Sequence, residues 1–422
     1  MRKGCTKDSR DVALQPTDRP GWVRALNALG RTRASPRIRL DAETLLNTAM
    51  RRSGLSDWGS EDFREPFEIL CRALDAEADL TLLGRLLARQ ELTTLLESRL
   101  RATDTWLRHP EIASEEISAP IFVTGSGRSG TSILHELLSQ DPGHRALLTW
   151  EALRPCPAPE PGRRDADPRI ARADREVRLW ERIAPAYATM HENGGRVPQE
   201  CIYLSAQAFR SDLLAGFYQV PSYAGWLAKS DMRPGYTHHC RVLQALQWRG
   251  PPRRWVLKAP SHLWTLDALL AVYPDARLVW THRDPLVVLP SMASLAATLY
   301  WLRSDRVDPQ RIARQMARSV GFMLEKATAQ RDTDLLAKGR VFDVRYVDLM
   351  QDPIGQIRAL YRHFAAELSS EAEARMRAYL DAKPQGRRGA HRYRFEDTGL
   401  DLERERERFA AYRERFGVPE EL

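Results

Sequence analysis

The sequence predicts an α/β protein. It should form a three-layer α/β/α sandwich on a mostly parallel sheet, with a helical subdomain before it and closing helices after it. Three observations carry this prediction. Four compact apolar runs read as strands: "ISAPIFVTG" (117–125), "RRWVLKA" (253–259), "ARLVWTHR" (276–283) and "GRVFDVRYVDL" (339–349). Helical patterns such as "HLWTLDALLAVY" (262–273) lie between them, and strands alternating with helices require a sheet covered on both faces. From about 20 to 115, leucines recur at spacings of three and four with almost no strand signal.

Taken in order, residues 1–18 are polar and are expected to be a poorly ordered leader. Their charges have no apolar stretch behind them, so they do not read as a secretory signal. Residues 19–117 form the helical part, in "AETLLNTAMRRSGL", "EPFEILCRALDAEA" and "LTLLGRLLARQELTTLLESRLRATDTWL". Residues 118–422 form the main domain, which contains a proline- and charge-rich surface loop, "PCPAPEPGRRDADP" (155–168). After residue 350, "PIGQIRALYRHFAAEL" and "LDLERERERFAAYRERF" are again helical, and no internal repeat is present.

Composition narrows the function. At 422 residues, 43% hydrophobic and 28% charged, the chain has the makeup of a soluble globular protein with a sizeable core. It has no run of eighteen apolar residues, so no membrane span is expected. The formal charge of +8 suits an anionic ligand. Because its arginines are interleaved with acids rather than gathered in one block, nucleic acid is not expected as a partner. Five scattered cysteines without a CxxC pair point to reduced thiols in a cytoplasmic protein. His238 and His239 stand beside Cys240, but adjacent helical residues diverge by about 100° and seldom share one ion, so no metal is predicted.

The segment "PIFVTGSGRSGTSILHELL" (120–138) is a strand, a loop of small residues and a helix. Backbone N–H groups converge at such a turn, and the helix dipole adds positive potential, so it is an anion cradle. Gly125 to Gly130 fit the first part of a Walker pattern, which makes the domain P-loop-like, but Thr131 and Ser132 stand where Lys-Ser would follow. Arg128 supplies a charge inside the loop, and Thr131 and Ser132 add hydroxyls. No strand ends in an evident aspartate for magnesium, so the transferred group is expected to be something other than phosphoryl.

With "GSGRSGTS" as its loop, the sequence resembles the sulfotransferases that use 3′-phosphoadenosine 5′-phosphosulfate. The loop is similar to the arginine form of their 5′-phosphosulfate loop, as in bacterial members and tyrosylprotein sulfotransferases. "THRDPLVVLPS" resembles their 3′-phosphate signature, with Arg283 and Ser291. "YVDLMQDPIGQIRALYRHF", opened by Tyr346, and "WVLKAPSHL" complete four matches in the family's order between about 118 and 400.

The resemblance implies a sulfuryl transferase acting on a hydroxyl of a small-molecule, lipid-like or glycan acceptor. Ser126, Gly127, Arg128, Ser129, Gly130, Thr131 and Ser132 would hold the donor with Arg283, Ser291 and Tyr346. Arg387 and Arg388, in "GRRGAHRY", resemble a closing element over the 3′-phosphate. Arg128 and Lys258 match the cations beside the donor sulfate. Two residues compete as the base. Glu151, in "LLTWEALRPCP", is the first choice, because a glutamate has that place in the bacterial and tyrosylprotein types. His262 is the second; it stands four residues after the lysine, where cytosolic members have a histidine two residues on. Glu200 and Cys201 are assigned to the acceptor side, and Tyr223 and Trp226 to a pocket wall. The alternatives are an unusual P-loop kinase and a nucleotide-binding protein of the same fold without turnover. Acceptor identity and oligomeric state are not legible in the sequence.

Overall fold

Alternating side chains decide where the sheet sits. In the computed structural model, which describes residues 19–32, 38–185, 187, 192, 194–336, 339–383 and 394–422, five strands pair in parallel in the order β2-β3-β1-β4-β5. They are β1 (Ile121–Gly125), β2 (His144–Ala146), β3 (Arg254–Lys258), β4 (Arg277–His282) and β5 (Val341–Arg345). Phe122, Trp255, Leu257, Leu278 and Trp280 enter one core; Ile121, Val123, Val256 and Val279 enter the other. This period of two fills both faces with apolar residues, as a parallel sheet between helical layers requires. β1 lies at the centre; the chain runs from it to β2 and β3 on one side, then crosses over it to β4 and β5 on the other. That switch point opens a crevice at the carboxyl ends of the strands.

Two of the sequence expectations need correction. The run 339–349 is a strand only as far as Arg345, because Tyr346–Gln351 turns into a helix. β2 is an edge strand of three residues, too short for a periodic pattern to show.

The leading helices are α1 (Gly21–Leu29), α2 (Ala42–Ser53), α3 (Arg64–Ala76) and α4 (Leu82–Arg108). Their ends are written locally. Asp41 accepts from the Thr44 N–H at 2.9 Å, Gly54 ends α2 at φ 72°, and Thr81 accepts from Gly84 at 3.0 Å. Their core continues past residue 117. Phe63 and Phe67 pack on Phe209 with ring centroids 6.2 and 4.6 Å apart, and Leu299 and Leu302 join the same cluster. Residues 1–18 and the run holding Arg387 and Arg388 lie outside the described residues.

Candidate active site

β1 delivers the chain to the crevice, and the loop turns over its end into α5 (Thr131–Leu138). Gly125, at φ 147°, lies against β4. A Cβ there would stand 2.3 Å from Thr281 Oγ1 and 2.5 Å from the Thr281 carbonyl oxygen, so only glycine lets the strands stay paired to the turn. Arg128 holds a left-handed φ of 68°, a costly conformation for an arginine, and it is exposed at the loop tip.

The loop serines divide their work. Ser129 is buried; its hydroxyl donates to the Ser126 carbonyl at 2.5 Å and lies 2.6 Å from Thr281 Oγ1, so it locks the turn. The Ser126 hydroxyl is buried with no hydrogen-bond partner. Thr131 is buried at the start of α5, and Ser132 is exposed one residue on.

Lys258 ends β3 beside this helix. Its ammonium is buried, donates to Glu200 Oε1 at 2.5 Å and lies 3.4 Å from Ser132 Oγ. Glu200 is held in place because Cys201 N–H donates to the Lys258 carbonyl at 2.9 Å, which drapes this segment over the strand end. The Glu200 side chain keeps 17% exposure. A cation and a partly open carboxylate thus stand together at the mouth of the cradle.

Arg283, beyond the end of β4, meets the loop. Its Nη1 donates to the Arg128 carbonyl at 3.0 Å, and Arg128 Nε donates to Ser291 Oγ at 3.1 Å. The guanidinium lies 3.8 Å over the Tyr346 ring, which in turn borders Gly130. The structure therefore brings together Arg128, Gly130, Arg283, Ser291 and Tyr346, residues drawn from three distant stretches of sequence. The Arg283 fork also holds the carboxylate of Glu421, at 2.9 Å from Nη2 and 3.1 Å from Nε.

Both residues named for the base are enclosed. Glu151, on α6 (Thr149–Leu153), is fully buried. It accepts from Arg145 at 2.9 Å, from Arg164 at 2.8 and 3.0 Å, and from the Leu148 N–H at 3.0 Å. Burial alone would raise its pKa, but Arg145 and Arg164 outweigh that and hold it below the usual carboxylate range. Four donors thus meet its two oxygens in an ion-pair network. His262 is also buried. Its Nδ1 lies 2.7 Å from the Tyr236 hydroxyl, Nε2 has no partner, and burial, with His239 adding to it, keeps the ring neutral. Tyr223 packs in the core and donates to the Phe209 carbonyl at 2.9 Å, so it is not a pocket wall. His238 and His239 point to different partners, Gln207 at 3.3 Å and Tyr273 at 2.6 Å.

Asp212 was not anticipated. Burial, and then the negative charge of Glu200, push its carboxyl up to about 6, while Ser261 lowers it. It lines a narrow cavity with His262, Ser261 and Tyr236. No motif marks it, because its unusual state comes first from burial, which a local pattern does not show. Among the described residues, no three His, Cys, Asp or Glu side chains are grouped to hold a metal ion, and no helix is long and apolar enough to cross a membrane.

Comparison with known proteins bears on this geometry. The profile of the Sulfotransferase family matches residues 120–370. Over 285 residues the chain is 27% identical to the omega-hydroxy-beta-dihydromenaquinone-9 sulfotransferase Stf3 of Mycobacterium bovis, and equally to that of Mycobacterium tuberculosis. The match spans 62% of this chain and 66% of those relatives, a little under two thirds of their length. Among solved structures, sulfotransferase STF1 from Mycobacterium tuberculosis H37Rv is similar with a TM-score of 0.79 at 35% identity, covering 89% of this chain and 100% of that one. Sulfotransferase STF9 from Mycobacterium avium has a TM-score of 0.81 at 29% identity, covering 90% and 97%.

Proposed function

Because the chain belongs to the sulfotransferase family, we propose that it transfers a sulfuryl group from 3′-phosphoadenosine 5′-phosphosulfate to the hydroxyl of a small or lipid-like acceptor. The observation that carries this is the contact between two anion seats. Arg283 reaches the loop carbonyl at 3.0 Å and Arg128 reaches Ser291 at 3.1 Å, over the ends of the central strands. A donor with phosphates at both ends of its ribose needs such a pair. The unpartnered Ser126 hydroxyl fits an anion in the cradle, and the Glu421 carboxylate marks Arg283 as a seat for negative charge.

When bound, the donor supplies the sulfuryl group and an adenosine bisphosphate leaving group. The loop N–H groups, Ser126, Thr131 and Ser132 bind its 5′ end. Arg128 and Lys258 offset the charge that gathers there, and Arg283, Ser291 and Tyr346 hold the 3′ end. Glu200 takes the acceptor's proton, because it is a carboxylate at the mouth that is both positioned by Lys258 and partly open. Asp212, next in the same cluster, and the neutral His262 behind it line the acceptor's approach. Arg387 and Arg388 are proposed to close over the 3′-phosphate.

A lipid-like acceptor is supported by the Stf3 relatives, whose name specifies a hydroxylated menaquinone derivative. The described cysteines, Cys71, Cys156, Cys201 and Cys240, are all free thiols, which supports a cytoplasmic setting.

The test is thermal stability in adenosine 3′,5′-bisphosphate, in ATP with magnesium, and in buffer, followed by transfer of labelled sulfate to a panel of alcohols. Stabilisation by the bisphosphate without added metal, and labelled product, are expected. Stabilisation only by ATP with magnesium would overturn this donor and favour the kinase reading. Bisphosphate binding with no transfer to any alcohol would leave a non-catalytic binder.

A further inference from the structure

Glu421 lies 138 residues from Arg283 in sequence, yet two of that guanidinium's three nitrogens donate to its carboxylate, and the third donates to the Arg128 carbonyl. Every nitrogen of the proposed phosphate seat is therefore already engaged. The contact is built rather than casual. The Gly417 carbonyl accepts from Arg345 at 3.2 Å, Val418 is buried, and Glu420 pairs with Arg406 and Arg413 at 2.7 and 3.1 Å. The Glu421 N–H donates to Asp284 Oδ2 at 3.0 Å, while the other oxygen of that buried aspartate caps the following helix at Leu286. Segment 417–421 is thus strapped across the ends of β4 and β5, with one carboxylate set in the anion seat.

We propose that Glu421 is an internal competitor for the donor's 3′-phosphate, so that the nucleotide binds by exchanging this carboxylate for phosphate on Arg283. The inference rests on the reading of Arg283 as the 3′-phosphate seat. A phosphate can win the exchange because it carries more charge and three acceptor oxygens, where a carboxylate has two. The carboxylate stays tethered by Asp284 and returns as the bisphosphate product leaves, so affinity is held down and release is eased.

The experiment measures dissociation constants of adenosine 3′,5′-bisphosphate and of adenosine 5′-monophosphate, by calorimetry, on the full chain. Glu421→Gln keeps the shape and removes the charge. It is expected to tighten the bisphosphate about tenfold, the scale of one charge-assisted bond, and to leave the monophosphate within about twofold. Arg283→Ala is expected to weaken the bisphosphate toward the monophosphate's affinity. If Glu421→Gln leaves bisphosphate affinity unchanged or weaker while Arg283→Ala weakens it, the exchange is wrong and the seat stands. Equal tightening of both nucleotides means that the segment blocks by bulk and overturns the exchange. Unchanged bisphosphate affinity in Arg283→Ala removes the seat, and the inference with it.

Discussion

Glu151 and Glu200 make an instructive pair. Each binds a cation that belongs to a strand, Arg145 of β2 for one and Lys258 of β3 for the other, and those two strands are neighbours in the sheet. Glu151 is sealed and its oxygens are filled by two arginines and a backbone N–H, whereas Glu200 faces the crevice with one strong partner. The difference teaches that a glutamate's role follows from what remains open on its oxygens. A base needs a lone pair that an acceptor can reach, and a carboxylate already holding four donors must first give one up.

The sharpest way to break the comparison is to remove the sealed partner. Glu151→Ala leaves the buried Arg145 facing the part-exposed Arg164 without their shared carboxylate, and is expected to cost about 3 kcal/mol in denaturant unfolding. The pH dependence follows from the lowered folded pKa. The stability due to Glu151 is present above its unfolded value of 4.5 and is lost as pH falls through the folded one. The gap between the wild type and Glu151→Gln should therefore shrink on acidification. Glu151→Gln protein that stays folded yet loses turnover about a hundredfold would return the base role to Glu151.

The next effect is on turnover. Glu200→Gln is expected to lower kcat about a hundredfold and to leave bisphosphate affinity within about threefold. A change in affinity alone would place Glu200 with the donor instead.

A smaller effect tests the shared field near Glu200. Burial raises the folded pKa of Asp212 to about 6, above the ordinary carboxyl value of 3.8. Its stabilising contribution is therefore full below the unfolded pKa and is lost as pH rises through about 6. Asp212→Asn should gain about 2 kcal/mol at pH 8, and the gain should fade toward pH 5 in thermal melts. A constant gain across that range would mean that the carboxyl is not raised.

The smallest effect lies in the loop. Arg128→Gly relieves the left-handed backbone and should raise stability by about 1 kcal/mol while weakening bisphosphate binding. A loss of stability would show that the arginine's contacts outweigh the strain.

The parts legible in the sequence were those coded over short spans. The strand–loop–helix of 120–138 and the strands ending at Lys258 and His282 are local patterns of apolar alternation and small residues. β2 escaped because three residues carry no period, and the helix from Tyr346 was read as strand because its first turn continues an apolar run. The family resemblance named Arg128, Lys258 and Arg283 as residues that belong together, but it could not say which glutamate would be open. Burial of Glu151 depends on Arg164, thirteen residues on, folding back over it.

By itself, then, the sequence determined the alternation of strands and helices and the glycine-rich turn between β1 and α5, because hydrophobic period and glycine placement act between near neighbours. Only the tertiary structure decided that Glu200 meets Lys258, that Glu151 is closed, that Asp212 holds its proton more tightly, and that Glu421 sits on Arg283. Those outcomes depend on burial and on charges brought together across up to 138 residues of chain, and solvation and Coulomb energies have no counterpart in local pattern.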